Sequence, residues 1–217
     1  MNSTRTITLV GAGSIGGFVA STLAYMSRTY DTRLIVLDHD TVEAHNRTNQ
    51  IYRREDIGVP KVTACAEILQ QLAEEMETLP SAKEVTQSDR FYHPVILAVD
   101  STRARRAIFS AIRDSFVCPF LVDARSGIEY GTVFVLNPMD PDHAEAYLAT
   151  LPTEEDASPV PCANPDAIPL LFAIASIVAQ HVNDYFTKGV VHFKETALNY
   201  SVIGPSVDTV VINTLLL

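Results

Sequence analysis

The sequence has little of what builds zinc-bound, disulfide-linked or nucleic-acid-binding proteins. Its 217 residues include no tryptophan and only three cysteines, scattered without any Cys-x-x-Cys pair. Neither a disulfide framework nor a tetrahedral zinc site is therefore predicted, and a reducing cytoplasm suits the thiols. The 16 lysines and arginines are outnumbered by 26 acidic residues, for a net charge of −10, which argues against a nucleic-acid surface.

Long apolar runs are missing as well. The most apolar stretch, residues 168–179, is much shorter than the ~20 residues that cross a bilayer, and the N-terminus shows no secretory signal pattern. With 47% hydrophobic and 19% charged residues and no low-complexity linker, the composition is that of a compact globular chain. We therefore expect a single cytoplasmic domain over residues 1–217 that does not bind a membrane.

A glycine turn near the start is the strongest feature that the sequence does contain. Residues 7–17, ITLVGAGSIGG, place Gly11, Gly13 and Gly16 between a β-branched apolar run and an amphipathic helical pattern. In such a turn the first glycine permits the bend, the second lets the backbone approach a phosphate, and the third lets the helix pack on the strand. The amides at the helix start favour an anion. The turn predicts a nucleotide site without naming the nucleotide, and packing alone is the structural alternative.

Two buried strands followed by acids extend this pattern. Residues 33–38 end in Asp38, which lies 22 residues after Gly16. In dinucleotide-binding folds with this glycine turn, the carboxylate that binds the ribose lies near that position. Residues 94–99 form another strand, and Asp100 follows it. Because parallel strands end at one edge of a sheet, both carboxylates are expected there. The structural alternatives are a turn at Asp38 and, at Asp100, a cap for the next helix, which Ser101 could form as well.

Alternating helices and strands are predicted for most of the chain. The helices are expected at residues 61–77, 102–115 and 166–185, and the further strands at 85–87, 120–123, 131–136, 192–201 and 208–213. The expected fold is α/β, Rossmann-like and doubly wound, with a mostly parallel sheet and additional C-terminal strands. The segment at about 138–165, rich in proline and acids, is expected to be a flexible crossover loop, with or without a short helix at about residues 143–150.

The polar segment 39–59 is longer than a nicotinamide-binding fold needs, which indicates a function. It contains side chains that can bond phosphate or ribose oxygens, namely Asn46, Arg47, Asn49, Gln50, Arg53 and Arg54. Lys61 then begins a helix, where the helix dipole disfavours a cation. Its position therefore indicates an anionic partner nearby.

Taken together, these residues resemble the ThiF/MoeB/HesA family, adenylyltransferases similar to ubiquitin-activating enzymes. The matching positions are Asp38, Asp40, Val42, Asn46, Gln50, Asp56, Gly58, Lys61 and Asp100. The resemblance covers roughly residues 7–185. It implies that the chain binds ATP and magnesium and adenylates the C-terminal carboxylate of a ubiquitin-like or sulfur-carrier protein.

The resemblance also implies a role for each matching side chain. Asp38 would hold the ribose, the glycine turn would hold phosphate, and Lys61 would contact the phosphates as a catalytic group. Asp100 would organise magnesium and the reacting centre. Further nucleotide contacts would come from Asp40, Asn46 and Gln50. Arg53 is not a matching position, but its residue type makes it a further candidate for binding the nucleotide.

A thiol is the last group that the resemblance singles out. Cys162 follows the crossover segment and precedes a long helix, where many relatives carry a cysteine that accepts the activated carrier as a thioester or acyl-disulfide. The start of that helix would lower the pKa of the thiol if the two lie close together. A loop cysteine without a role fits the sequence equally well.

The chain also departs from the family pattern. Asn49 stands where relatives usually carry a phosphate-facing arginine, so Arg47, Arg53 or Arg54 would have to replace it. Arg5 is the sole candidate for the arginine finger that the family supplies from an N-terminal arm, and the four zinc cysteines are missing. We expect a divergent, zinc-less enzyme, either homodimeric or paired with a related subunit. A non-catalytic partner subunit and a NAD-binding oxidoreductase are the alternatives.

Overall fold

The computed structural model describes residues 4–86, 88–115, 118–127, 130–151, 164–189, 194–202 and 208–216. Its strands are β1 (Arg5–Val10), β2 (Thr32–Asp38), β3 (Glu77–Ala82), β4 (Val95–Leu97), β5 (Leu121–Ser126), β6 (Tyr130–Leu136), β7 (Lys194–Val202) and β8 (Asp208–Leu216). Its helices are α1 (Ser14–Ser27), α2 (Lys61–Leu72), α3 (Thr102–Ser115), α4 (Pro141–Ala149) and α5 (Ile168–Lys188). Short 3₁₀ helices occupy Ala44–Thr48, Arg54–Asp56 and Pro165–Ala167.

The described strands form one sheet in the order β3-β2-β1-β4-β5-β6-β7-β8. Neighbours from β3 to β5 are parallel, and neighbours from β5 to β8 are antiparallel. Helices α1, α2 and α3 lie in the connections between parallel strands. The predicted α/β, Rossmann-like sheet with additional C-terminal strands is confirmed.

Helices cover both faces of the sheet because its strands are apolar on both sides. Along β2, Leu34 and Val36 belong to one buried cluster, which includes the inner faces of α1, α2 and α5. Leu37 belongs to a second cluster, which α3 and α4 complete with Ile108 and Tyr147. Burial on both faces explains why the parallel strands are continuous apolar runs in the sequence.

The structure corrects the prediction between residues 72 and 87. Helix α2 ends at Leu72, before the predicted end at residue 77, and β3 begins at Glu77. The acids Glu74 and Glu75 lie where the negative end of the helix dipole would repel them. Pro80 argues against a strand in the sequence, because proline cannot donate a hydrogen bond to a neighbouring strand. It is tolerated here because β3 is the edge strand. Val85 and Thr86 are not in a strand, and Gln87 lies outside the described residues.

Part of the predicted crossover loop is helical. Asp140 caps α4 by accepting hydrogen bonds from the backbone N–H groups of Asp142 at 3.0 Å and His143 at 3.3 Å. Pro141 occupies the first helical position. An N–H group at that position has no partner within the helix, so proline loses no hydrogen bond there. Residues 152–163, which include Cys162, lie outside the described part of the chain.

Helix α5 is longer than the apolar run in the sequence. With the 3₁₀ turn before it, Pro165–Lys188 is long and apolar enough to cross a membrane by length and composition. Its inner side chains, among them Leu170, Ile174 and Val178, are nevertheless buried in the cluster that it shares with α1 and the sheet. In this fold α5 is a core helix.

Candidate nucleotide-binding site

Four neighbouring parallel strands reach one edge of the sheet in register. Val10 pairs with Leu37 on one side and Leu97 on the other, and Leu97 pairs with Asp123. The residues that follow this row therefore meet at the carboxyl edge of the sheet, where a cleft of about 1170 Å³ lies. Of the predicted site residues, the cleft is lined by Gly11, Gly13, Asp38, Asp40, Asn46, Gln50, Lys61 and Asp100.

The three glycines of the turn have different surroundings. Gly11 has a φ of +95°, and a Cβ there would lie 2.5 Å from the carbonyl oxygen of Ala98. A Cβ on Gly16 would lie 1.9 Å from the carbonyl oxygen of Gly11, so α1 can approach the turn only without a side chain. A Cβ on Gly13 would have no atom within 4 Å. The turn therefore bends at Gly11, packs at Gly16 and leaves open space at Gly13.

These surroundings predict effects of different size for two alanine substitutions. Gly16→Ala should lower the free energy of unfolding by about 1–3 kcal/mol, because the new methyl group overlaps backbone. Gly13→Ala should change it by less than about 1 kcal/mol, since the methyl group meets open space. Urea denaturation of both variants measures the difference. Equal stability of the two would contradict this geometry.

Asp38 holds the glycine turn against the end of β2. One carboxylate oxygen accepts a hydrogen bond from the backbone N–H of Ala12 at 2.6 Å, and the other from that of Asp40 at 2.7 Å. Asp38 therefore stabilises the turn at the end of β2, which was the structural alternative to ribose binding. Each oxygen keeps a second lone pair that can accept from a ribose hydroxyl.

Tyr52 supports the same turn, and sequence reasoning missed it. Its buried hydroxyl donates a hydrogen bond to the carbonyl oxygen of Ala12 at 2.5 Å. Burial raises the pKa of Tyr52, so the hydroxyl stays protonated and remains a donor. An aromatic residue inside the polar segment 39–59 was the available signal.

Lys61 lines the cleft as an almost buried cation. Its Nζ lies 2.8 Å from a carboxylate oxygen of Asp40, and its side chain is 9% exposed. The position of Lys61 at the start of a helix indicated an anionic partner, and in this structure that partner is Asp40. An ammonium group has three N–H donors, so the pair leaves Lys61 able to bond a second anion.

Three amide side chains of segment 39–59 line the cleft. The side-chain oxygen of Asn46 accepts a hydrogen bond from the backbone N–H of Glu43 at 2.7 Å, which shapes the 3₁₀ turn. The side-chain oxygens of Asn49 and Gln50 are buried and have no hydrogen-bond partner among the described residues. A buried acceptor without a hydrogen bond destabilises the fold by about 1–3 kcal/mol. Both oxygens are therefore suited to accept a hydrogen bond from a bound ligand.

The arginines of segment 39–59 do not line the cleft. Arg53 pairs with Asp56, with its guanidinium 3.0 Å from one carboxylate oxygen and its backbone N–H donating to the other at 2.7 Å. Arg47 and Arg54 are exposed outside it. The structure thus does not bring Arg53 to the other predicted residues. The arginines that do line the cleft come from α3 and β5, and they are Arg103, Arg105 and Arg125.

Arg5 is not part of a free arm. It lies in β1, at the end opposite the cleft, and its guanidinium lies 3.5 Å from the centre of the Tyr30 ring and 5.0 Å from that of Phe186. It also donates a hydrogen bond to the side chain of Asn183 at 3.3 Å. These contacts within its own chain speak against the predicted arginine finger.

Asp100 is exposed and lines the cleft. Ser101 rather than Asp100 caps α3, since its Oγ accepts a hydrogen bond from the backbone N–H of Ala104 at 3.2 Å. Within the described residues, the Asp100 carboxylate has no hydrogen bond or ion pair. One unengaged carboxylate beside the predicted phosphate site fits Mg²⁺, which is usually held by one or two carboxylates together with substrate phosphates and water.

Two aspartates and a histidine that also line the cleft fit a metal less well than Asp100. Ligand atoms of Asp38, His39 and Asp40 lie within 4.8 Å of one another. Both oxygens of Asp38 already accept backbone hydrogen bonds, and Asp40 is paired with Lys61. Asp100 therefore remains the better candidate ligand.

A buried charged cluster forms the β5 side of the cleft, and the sequence analysis did not identify it. Asp123 is fully buried, and its two oxygens lie 2.9 Å from Nε of Arg105 and 2.7 Å from Nε of Arg125. Tyr147 donates to the same carboxylate at 3.0 Å. Burial raises the pKa of Tyr147 and keeps it a donor. Charged residues inside the apolar strand pattern of β5 were the available signal.

The two described cysteines, Cys65 and Cys118, are core residues. Burial raises the pKa of Cys65 and that of Cys118 to about 12 each, so both remain neutral thiols at pH 8. Because the thiolate is the reactive form, we expect iodoacetamide to label at most one thiol per native chain at this pH and all three after unfolding. Mass spectrometry of the labelled protein counts the adducts, and labelling of Cys65 or Cys118 in the native chain would contradict their burial.

Comparison with known proteins agrees with this fold. Residues 2–214 match the ThiF family. A crystal structure of PaaA is 19% identical with a TM-score of 0.66, and the match covers 98% of this chain and 65% of PaaA. Structures of E. coli MccB with ATP and of MccB with AMPCPP and MccA are each 14% identical, with TM-scores of 0.72 and 0.73, covering 98% of this chain and 63% of MccB.

At these identities the structural likeness shows the fold alone, and the chain spans less than two thirds of the length of PaaA and MccB. The family match, in contrast, extends over nearly all of the sequence. It agrees with the residues that carried the resemblance, from the glycine turn to Asp100. The chain therefore belongs to the ThiF family.

Proposed function

We propose that this protein uses ATP to adenylate the C-terminal carboxylate of a small carrier protein or peptide. The observation that carries the proposal is a single cleft lined by the open glycine turn, by Lys61 and by the unengaged carboxylate of Asp100. Family membership supports it. So do the structures of E. coli MccB with ATP, and with AMPCPP together with MccA.

The reaction joins two anions. A carboxylate oxygen attacks the α-phosphorus of ATP, a carbon–oxygen–phosphorus link forms, the bond to the β-phosphate breaks, and pyrophosphate leaves. The site must therefore supply positive charge and donors around the phosphates. The amides at the Gly11 turn and the ammonium of Lys61 would do so, while Asp38 accepts from the ribose. Asp100 would hold Mg²⁺, which when bound offsets phosphate charge.

The same proposal covers the finer expectations about the site. Asn46, Gln50 and Asp40 would line the nucleotide, and the unpaired amide oxygens of Asn49 and Gln50 would accept from it. The thiolate of Cys162 would attack the acyl-adenylate to form a thioester and release AMP. If Cys162 first carried a persulfide sulfur supplied by a sulfur-donor protein, the same attack would give an acyl-disulfide. The carrier would be a ubiquitin-like or sulfur-carrier protein, and the enzyme would act in the cytoplasm as a single domain, in a homodimer or with a related subunit.

Exchange of labelled pyrophosphate into ATP tests this function. The purified chain is incubated with ATP, magnesium and a panel of candidate carriers that end in glycine, each compared with the same carrier amidated at its C-terminus. We expect exchange with at least one free carboxylate and none with its amide. Exchange that is absent with every carrier, or equal for acid and amide, would count against adenylation.

A second candidate function is that of a non-catalytic partner subunit. It is favoured by Asn49, which stands where relatives usually carry arginine and whose buried side-chain oxygen has no described partner. An isolated chain without exchange activity that binds ATP tightly only in complex with an active homologue would support this function. Exchange by the isolated chain would exclude it.

A further inference from the structure

The buried cluster on the β5 side of the cleft carries more positive than negative charge. Two guanidinium groups, those of Arg105 and Arg125, share the single carboxylate of Asp123. Arg105 is 6% exposed, Asp123 is 0% exposed, and the side chain of Arg125, which faces the cleft, is 20% exposed. Because a buried charge is costly unless it is paired, the cluster favours one more negative charge beside it. Both arginines line the cleft, which is where such an anion can enter.

Arg125 is held in place on several sides. Its terminal nitrogens donate to the carbonyl oxygen of Thr150 at 2.9 Å and to the hydroxyl of Thr150 at 3.1 Å. Its guanidinium lies 4.3 Å from the centre of the Phe134 ring. With the bond to Asp123, these contacts use three of its five N–H groups within the described structure. The planar fork is thus fixed before any ligand binds, which reduces the entropy lost on binding.

The order of strands separates this cluster from the predicted phosphate site. Along the sheet edge, Asp38 ends β2, the glycine turn follows β1, Asp100 follows β4, and Arg125 lies in β5. With strands about 4.8 Å apart, β2 and β5 lie roughly 14 Å from each other. A nucleotide with its ribose at Asp38 and its phosphates at the glycine turn would therefore extend toward Asp100. The second reactant would approach from the β5 side.

We propose that Arg125, with Arg105 beside it, binds the carboxylate-bearing end of the substrate before adenylation. The proposal rests on the proposed function and names the subsite of its second reactant. The single excess positive charge of the cluster matches the single negative charge of a carboxylate better than the several charges of a triphosphate. Within the described structure both guanidiniums keep N–H groups without a partner, and these can donate charge-assisted hydrogen bonds to a carboxylate.

Side-chain NMR tests this assignment. Protein with ¹⁵N-labelled arginine is titrated with N-acetylglycylglycine, with its C-terminal amide, and with ATP and magnesium. We expect the acid to shift the Nε resonances of Arg125 and Arg105 and the amide to leave them in place. ATP should instead shift the backbone amides of Gly11 and Gly13. No shift of the Arg125 resonance by the acid at tens of millimolar, or equal shifts by acid and amide, would overturn the proposal.

The arms of this titration distinguish the possible failures. If ATP shifts the Arg125 resonance in place of the dipeptide, the cluster is a phosphate site and the proposal is wrong. If ATP shifts neither the glycine turn nor the arginines while the dipeptide acid still shifts Arg125, the proposed use of ATP fails and the carboxylate subsite remains.

Substitution of the arginine gives an independent measurement. Arg125→Gln should weaken the affinity for N-acetylglycylglycine by about tenfold or more, because charge-assisted hydrogen bonds are lost. Arg33→Gln is the matched control, since Arg33 also has its Nε paired to a carboxylate, that of Glu77 at 2.7 Å, but lies outside the cleft. Arg125→Lys keeps the charge without the fork and serves if the glutamine variant does not fold. Unchanged affinity in a folded variant would contradict the proposal.

Discussion

Asp100→Asn is expected to reduce carrier-dependent pyrophosphate exchange by about 100-fold to 1000-fold, the effect typical of losing one group that stabilises charge in the transition state. The substitution removes the negative charge that would hold magnesium beside the phosphates, and it keeps the size of the side chain. The rate is measured at saturating ATP and carrier, so that weaker binding does not hide the effect on the reaction.

Two controls separate this effect from general damage. Asp100 is exposed and has no described partner, so the free energy of unfolding should change by no more than about 0.5 kcal/mol. Asp114→Asn changes an exposed aspartate at the other end of α3 and should leave exchange unaltered. If the Asp100 variant exchanged pyrophosphate at the rate of the natural protein, the reacting centre would lie elsewhere.

Asp123→Asn is expected to lower the free energy of unfolding by about 3–5 kcal/mol, which is the usual cost of breaking a buried ion pair. Asparagine has nearly the same shape, but it leaves the buried guanidinium of Arg105 and the half-buried one of Arg125 without their shared carboxylate. The loss would be seen as a lower midpoint in urea denaturation at an unchanged slope.

A double variant isolates the charge effect. If excess positive charge causes the loss, Arg125→Gln in the Asp123→Asn background should cost less than Arg125→Gln alone, so the two changes should not be additive. Asp184→Asn is the surface control, because its pair with Lys188 lies on an exposed helix face and contributes at most about 1 kcal/mol. A cost below about 1 kcal/mol for Asp123→Asn would show that the cluster is not charge-coupled.

Local patterns predicted the parts of the site that lie close together in the chain. The glycine turn has its bend, its open position and its close contact at the expected residues because each follows from the spacing of the glycines. Helix α3 has the predicted bounds, Thr102–Ser115, since its apolar positions recur with helical period between a serine cap and a polar end. The meeting of Asp38 and Asp100 at one edge of the sheet was predicted because each follows or ends an apolar strand.

Contacts between distant elements could not be predicted in the same way. The cluster around Asp123 needs Arg105 from α3 and Tyr147 from α4, which only the packing of both helices on one face of the sheet brings together. Arg53 was expected at the nucleotide because its residue type suits phosphate, but a carboxylate three residues away binds it first. The role of Cys162 remains a prediction, since the residue lies outside the described part of the chain.

Equilibrium binding of ATP is the most direct test of the central claim, that a triphosphate lies over the glycine turn beside Lys61. In calorimetric titrations of the natural protein, ATP with magnesium should bind at one site, and NADH should neither bind nor compete. Lys61→Met should weaken ATP binding by about tenfold or more, since a charge-assisted contact to phosphate is lost. Tight binding of NADH, or ATP affinity that Lys61→Met leaves unchanged, would contradict the account.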